Sequence, residues 1–378
     1  MNGLTIAEVK TWVVNVPLVS TFTSSLGDKR GTTRTVVRLR TADGLEGWGE
    51  TMNGRPVAAL IDKLSPAVVG HSPFEFEALR KEFKWVPFFY GYLGYAAMAG
   101  IDVACWDLIG KITAQPLSSL TGGQLRDKIP LTGLVTRGMA EGAGCSDLPR
   151  ALADHAQALV EQGFSAIKFK GSSDAADDLR IMEALRERLP SVNLRVDPNG
   201  AWPLPEAIRL AARTEALGLE YLEDPCWGLE AMSVLRDRVR VPFCTNMCVV
   251  RFEDLAPAVR LKAVDVIHGD VFKWGGIGPT KQLAAHCETF GFGMNLHSGG
   301  ELGLSTAAHL AVAATTPAIS YSIDSMYYLA ADDILTTPLR LQAGSLALPS
   351  GAGLGVEVDQ QKLEHFAEAN ARQGDFTL

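Results

Sequence analysis

Seven residues at the ends of short apolar runs could together do acid–base chemistry. Ser165-Ala-Ile-Lys-Phe-Lys170 ends in two lysines, Lys168 and Lys170. Leu194-Arg-Val-Asp197 and Glu220-Tyr-Leu-Glu223 end in carboxylates, and Val241-Pro-Phe-Cys-Thr-Asn246 ends in a carboxamide. Asp270 and His297 close the next two runs. Asp197, Glu223 and Asn246 lie 26 and 23 residues apart. Any one alone reads as a turn or a strand stop. In register, two carboxylates and an amide oxygen suit a hard cation with open positions, Mg²⁺ rather than zinc. Side chains on a strand repeat every two residues, so Lys168 and Lys170 project to one side. Their mutual repulsion, with a divalent cation nearby, is expected to lower a lysine pKa toward a usable base. An aspartate on one ring nitrogen of a histidine fixes its tautomer and strengthens the other nitrogen as a base, the role expected of Asp270 toward His297. The combination suggests proton abstraction beside a carboxylate, with the metal stabilising the resulting enediolate.

Helix-like stretches separate these runs from residue 128 onward, in units of roughly 25–30 residues joined by short connections. That is the layout of a parallel β/α barrel, whose catalytic groups gather at the C-terminal strand ends. Ile129–Val135 reads as its first strand, a helix is expected from about Pro205 to Leu217, and Ala318–Asp324 reads as the last strand. Before the barrel, residues 4–15 and 32–41 read as strands, the second half-buried by its alternation. Glu46–Glu50 is expected to pair back as a hairpin. The stretch from Val19 to Thr32 is polar and rich in Ser and Gly, the composition of a mobile loop or lid. Gly94–Lys111 is a helix apolar nearly all round, so its Asp102 and Asp107 are expected to be paired structurally. A sheet followed by helices suggests a separate α+β unit. The expected division is 1–127 for this unit, 128–338 for the barrel and 339–378 for a C-terminal segment returning to the first unit.

With 378 residues, 47% hydrophobic and 21% charged, the chain can bury a barrel plus a smaller domain. A formal charge of −8 argues against nucleic acid or an anionic membrane surface as partner. No charge-free apolar run reaches about 18 residues, so no membrane span is expected. Met1–Glu8 lacks the basic start and apolar core of a signal peptide, which makes a cytoplasmic location the default. The six cysteines are scattered and read as reduced thiols. Cys244 and Cys248 have no second Cys/His pair nearby to make a zinc site.

Read end to end, the chain resembles the enolase superfamily, and its glucarate dehydratase group in particular. The resemblance rests on Lys168-Phe-Lys170, Asp197-Pro-Asn-Gly-Ala-Trp202, Glu223-Asp-Pro225, Thr245-Asn246-Met247 and Asn295-Leu-His297-Ser. It implies an α/β fold, a modified (β/α)7β TIM-type barrel of the mandelate racemase/muconate lactonizing enzyme type with an N-terminal α+β capping domain. It implies Mg²⁺ on Asp197, Glu223 and Asn246. Lys170 would be one base, with Lys168 assisting at the substrate carboxylate. His297, held by Asp270, would be the acid/base of the opposite face, and Asp324 matches an acidic substrate-binding position. The loop from Val19 to Thr32 would close over the substrate and set specificity, with the Glu50–Arg55 loop contributing. The implied reaction is Mg²⁺-dependent dehydration of an acid sugar or related 2-hydroxy acid to a 2-keto acid, His297 protonating the departing hydroxyl. The alternatives are racemisation or epimerisation at the α-carbon and, in a different class, a non-catalytic Mg²⁺-binding barrel. The implied partner is a small-molecule carboxylate, and a homo-oligomer is expected.

Overall fold

The structure is a computed structural model that describes residues 4–140 and 147–376. Cys145 and residues 1–3 lie outside the described residues. An antiparallel sheet opens the fold: β1 (Ile6–Ser24), β2 (Gly27–Thr41) and β3 (Glu46–Met52). The strand expected to be half-buried is covered on both faces. Val37 and Leu39 pack into a core with Ile61, Ile101 and Leu108, while Val36 joins the larger barrel core. The mobile loop expected from Val19 to Thr32 is instead the outer part of the β1–β2 hairpin. After a register break between Pro17 and Phe22, Phe22 pairs with Lys29, Thr23 with Asp28 and Ser24 with Gly27. Composition alone misled here, because Thr and Phe accept an extended backbone and polar side chains suit a ribbon reaching past its own core.

The helix Tyr92–Thr113 packs against this sheet. By length and composition it could cross a membrane, but 72% of its apolar window is buried in this fold. Its carboxylates are spent on structure. Asp107 accepts from the backbone N–H groups of Trp48 (2.8 Å) and Leu354 (2.9 Å) and from Lys111 Nζ (2.7 Å). Asp102 accepts from Ile277 N (2.7 Å), and burial pushes its pKa up to about 7. Helix and sheet approach so closely that a Cβ on Gly49 would press into Gly100 O and lie 2.8 Å from Ala104 N.

Seven parallel strands follow in unbroken order: β5 (Thr132–Val135), β6 (Ala166–Lys170), β7 (Asn193–Asp197), β8 (Tyr221–Glu223), β9 (Phe243–Thr245), β10 (Val266–Gly269) and β11 (Gly293–Leu296). The expected last strand is not a continuous ladder. Residues 318–324 close the ring through single bridges, Ile319 to Met294 and Ile323 to Leu131. Asp324 N also donates to Leu296 O (3.0 Å). The fold is a (β/α)7β barrel with an N-terminal α+β cap. The run 129–135 divides at Leu131, because β4 (Lys128–Pro130) turns away to pair with β13 (Ser345–Ala347), which also pairs with β12 (Leu341–Gln342). The helix expected from Pro205 breaks at Leu210 (φ −95°, ψ 4°) into Leu204–Arg209 and Ala211–Ala216. The last helix, Gln360–Gln373, is capped by Asp359, which accepts from Gln361 N and Lys362 N. It returns to the cap, where Asn15 Nδ2 donates to Gly374 O (2.8 Å).

A buried carboxylate fastens the cap to the barrel. Glu50 accepts from Leu302 N (2.8 Å) and Ser305 N (2.9 Å), so it satisfies donors at the start of the helix Gly303–Ala314. Arg34 Nε donates to the same carboxylate (2.7 Å), with both side chains fully buried. Replacing Gly49 with Ala should overpack the helix–sheet contact and destabilise the fold by about 1–3 kcal/mol, read as a lower urea midpoint.

Candidate active site at the barrel mouth

Parallel β/α order aims every strand end at one mouth. Lys168 and Lys170 come from β6, Asp197 from β7, Glu223 from β8, and Asn246 directly follows β9. Asp270 follows β10, His297 follows β11, and Asp324 ends the closing segment. All eight residues expected to act are therefore gathered at one end of the barrel.

The arrangement centres on Lys168. Its ammonium donates to Asp324 Oδ2 (2.5 Å) and Glu223 Oε2 (2.6 Å), and Asp197 Oδ2 lies 3.4 Å away. Burial lowers the Lys168 pKa, but Asp324, Glu223 and Asp197 outweigh it and hold the value well above the ordinary one. The expectation that repulsion between the two lysines would lower the pKa is thus corrected for Lys168: three carboxylates surround it, and Lys168 is a fixed cation. Burial raises the Glu223 pKa, yet His268 and Lys168 together hold it well below the usual range. Lys170 also donates to an anion, Asp197 Oδ2, and reaches Asn199 Oδ1 (3.4 Å). Asn246 turns its amide nitrogen, not its oxygen, to Glu223 Oε1 (2.5 Å). Asp224 steadies that turn from below by accepting from Asn246 N (2.8 Å) and Thr245 Oγ1 (2.5 Å). Burial, with Glu223 and Asp197 alongside, pushes Asp224 up to about 7.

On the other side, His297 Nδ1 lies 3.3 Å from Asp270 Oδ2, the pairing expected from the sequence. Burial, then the charges of Lys273, Lys170 and Lys168, hold the His297 pKa well below its ordinary value. The imidazole is therefore neutral. Lys273 was not singled out from the sequence. It is buried, donates to Asn246 O (2.9 Å) and approaches Asp270 Oδ2 (3.2 Å), so it links the amide and imidazole sides. Its three-residue spacing from Asp270 was the available signal. His268 was missed too. Its Nε2 meets Tyr221 OH (3.0 Å) inside the barrel, and its Nδ1 lies 3.1 Å from Glu223 Oε1. Cys244 Sγ and the ligand atoms of Glu223 and His268 lie within 4.8 Å of one another. Burial, then Glu223, pushes its thiol well above the usual range, which leaves it a protonated core residue.

Above these groups lies a cavity of about 650 Å³, floored by Lys168, Lys170, Asn246, His297 and Asp324. The cap hairpin covers it, and Ser25 Oγ at the hairpin tip donates to Pro198 O (2.7 Å) in the loop after β7. Phe22 and Lys29 are cross-strand partners and both line the cavity. Lys29, also missed from the sequence, has no ion pair among the described residues; burial, then Lys170 and Arg34, lower its pKa. Much of the remaining wall is apolar, with Leu26, Met52, Leu93, Met247 and Phe376. Phe376 reaches this wall because Gly31 has no side chain; a Cβ there would press into the ring.

Residues 6–122 match the model of the mandelate racemase / muconate lactonizing enzyme N-terminal domain, and residues 151–362 match the enolase C-terminal domain-like model. The chain belongs to the enolase superfamily. It is similar to the crystal structure of an enolase from Streptomyces coelicolor, with 60% identity, a TM-score of 0.96, and coverage of 99% of this chain and 100% of that one. A probable glucarate dehydratase of S. coelicolor is 33% identical over 88% of this chain and 84% of its own length. An N-succinyl-L-Arg/Lys racemase of Bacillus cereus is 25% identical over 95% of this chain and 97% of its own length. A Gibberella zeae enolase crystallised with magnesium, formate and sulfate is 27% identical, with a TM-score of 0.92, over 99% of this chain and 93% of that one.

The neutral state of His297 has a pH signature. Unfolding lets the ring take a proton once pH falls below its free value of about 6.5. Its stabilising contribution is full above that pH and is lost as pH drops toward the lower folded value. His297→Gln should therefore lose less stability than the parent between about pH 7.5 and about pH 5, compared by urea midpoint.

Proposed function

We propose that the chain is a Mg²⁺-dependent enzyme that removes the α-proton of a carboxylate substrate and then expels a β-hydroxyl. The product is a 2-keto acid, formed from an acid sugar or related 2-hydroxy acid. One observation carries this reading: a neutral imidazole and an ammonium lie across the mouth from each other, with a carboxylate set between them. In ring order β6 and β11 are separated by β7–β10 on one side and by the closing segment and β5 on the other. Lys170 and His297 are thus nearly opposite, and Asp197, Glu223 and Asn246 occupy the arc between them.

The residues present fit a hard divalent cation. Asp197, Glu223 and Asp324 already crowd around a positive charge at Lys168 Nζ, and their donors are all oxygens. Asp197, Glu223 and Asn246 would hold Mg²⁺, with Asn246 turning its amide so that Oδ1 faces the ion. When bound, the ion would stabilise the negative charge that develops on the substrate carboxylate. Lys168 would donate to that carboxylate and remain charged throughout. His297 starts neutral and takes the α-proton; Asp270 and its neighbour Lys273 hold the ring in place. The imidazolium then returns its proton to the β-oxygen as the C–O bond breaks, since hydroxide is a poor leaving group. The enol left behind tautomerises to the keto acid.

A second reading rests on the Lys170 ammonium. After His297 takes a proton from one face, Lys170 could deliver one to the other, which is racemisation. The probable glucarate dehydratase supports the first reading and the racemase supports the second. A barrel that only binds would need no such opposed pair.

A screen of acid sugars and hydroxy acids in D₂O with Mg²⁺ should give 2-keto acid. Exchange with inversion and no keto acid would favour racemisation, and silence throughout would favour the non-catalytic barrel. His297→Asn should lower turnover by at least about 100-fold in either reaction, and Lys170→Ala should do so if the reaction is racemisation. Retained turnover in both would remove them from the mechanism. Lys29→Met should raise KM for substrates bearing a second anionic group by about 10-fold or more, with kcat little changed, because an interaction made equally in ground and transition states affects binding alone.

A further inference from the structure

Beneath the mouth, a buried histidine keeps one hydrogen-bonding atom in reserve. His268 lies on β10 and is fully buried. Its Nε2 is engaged, with Tyr221 OH at 3.0 Å and Asn295 Nδ2 at 3.3 Å. Asn295 Nδ2 also donates to Tyr221 OH (3.2 Å) and to Ser322 O (3.1 Å). The Ser322 contact fixes which end of the amide faces the ring, since an amide oxygen there would meet a carbonyl oxygen. Tyr221 OH accepts from Asn295, so its own hydrogen goes to His268 Nε2. The ring proton therefore sits on Nδ1, the nitrogen that faces a carboxylate.

That N–H has no aligned acceptor among the described residues. Glu223 Oε1 lies 3.1 Å from it, but the same oxygen already accepts from Asn246 Nδ2. Asp324 Oδ2, at 3.9 Å, is too far to serve. Buried donors without an acceptor are rare in native folds, because the desolvation cost is not recovered. The backbone of Asn246 is held on both sides, its N by Asp224 and its O by Lys273, so any turn is confined to the side chain. If Asn246 presents its amide oxygen to Mg²⁺, as the proposed function requires, its nitrogen must leave Glu223 Oε1.

We propose that His268 is a positioning residue for Glu223, its Nδ1–H taking over Oε1 as Asn246 turns to the ion. The inference rests on the Mg²⁺ reading above. Lys168 already holds the other oxygen of Glu223, Oε2, at 2.6 Å. With a donor on each oxygen the carboxylate keeps one orientation throughout, and each oxygen has a lone pair left for the ion. The Tyr221–Asn295–Ser322 chain fixes the tautomer that makes this possible. A histidine that merely filled the barrel would use its shape and its edge-on packing with Tyr221, not the Nδ1 hydrogen.

Two near-isosteric variants separate these roles. The amide nitrogen of an asparagine falls where Nδ1 lies, and that of a glutamine where Nε2 lies. In calorimetric titrations of the metal-free full chain with Mg²⁺, His268→Gln should weaken binding by about 10–100-fold. His268→Asn should restore it to within about 3-fold of the wild type, although it loses the Tyr221 contact. Undiminished binding in His268→Gln, or equal losses in both variants, would overturn the proposal. A reading on the wild type serves even if a variant fails to fold. In protein labelled with ¹⁵N at histidine, Mg²⁺ should move the Nδ1 proton of His268 downfield as it gains a carboxylate acceptor, and a resonance that stays in place would overturn the proposal. A wild type that binds no Mg²⁺ would remove the metal reading together with this one, whereas intact binding in His268→Gln would remove this one alone.

Discussion

Three carboxylates cannot share a dry barrel mouth without a positive charge among them. Each buried anion costs several kcal/mol to desolvate, and like charges at close range add to that cost. Lys168 meets this constraint with one ammonium that touches Asp324 and Glu223 and lies near Asp197. The surrounding residues follow from it. His268 stands behind Glu223, Asp224 fixes the loop that carries Asn246, and Lys273 compensates Asp270 on the far side. Alternating charges bound by short contacts leave few rotamers free, so the site is built before any ligand arrives. That order is what acid–base chemistry at one carbon requires.

The cap supplies what the barrel lacks. Strand ends bring together charge and hydrogen-bonding groups but enclose nothing. The hairpin bearing Phe22 and Lys29, the loop after β3 and Phe376 give the mouth its outer walls. The division of labour is chemical as well as spatial. The barrel floor is ionic, whereas much of the cap-side wall is apolar, with Lys29 a cation that has no ion pair among the described residues. A substrate suited to both has a polar reacting end and an anionic or strongly accepting far end.

Much of this was legible in the sequence. The repeat of apolar run, polar terminus and helix fixes the barrel, since a parallel strand end can go only to the mouth. Spacing therefore located Asp197, Glu223, Asn246, Asp270 and His297 without any contact being known. Protonation states were not legible. Whether Lys168 is a base or a fixed cation depends on Asp324, 156 residues away, and on which atoms of Glu223 and Asp197 face it. Lys29 and His268 escaped for a related reason: Lys29 matters because a polar stretch folds as a hairpin, and His268 because β10 turns it into the barrel interior. The split at Leu210 and the bridge-only closure by residues 318–324 are decisions of packing, below the resolution of a hydropathy pattern.

The buried Glu50 constrains how the two modules can evolve. It belongs to the cap sheet, yet it finishes the start of the barrel's last large helix, while Arg34 from the neighbouring strand neutralises it. Neither module is chemically whole when isolated: the cap would keep an ion pair with nothing to hold, and the barrel would present bare amides just downstream of His297. Chimeras that exchange caps between barrels of this kind must therefore transplant Arg34, Glu50 and a serine at position 305 as a set. Diversification of the lid is steered toward the hairpin tip, away from this seam.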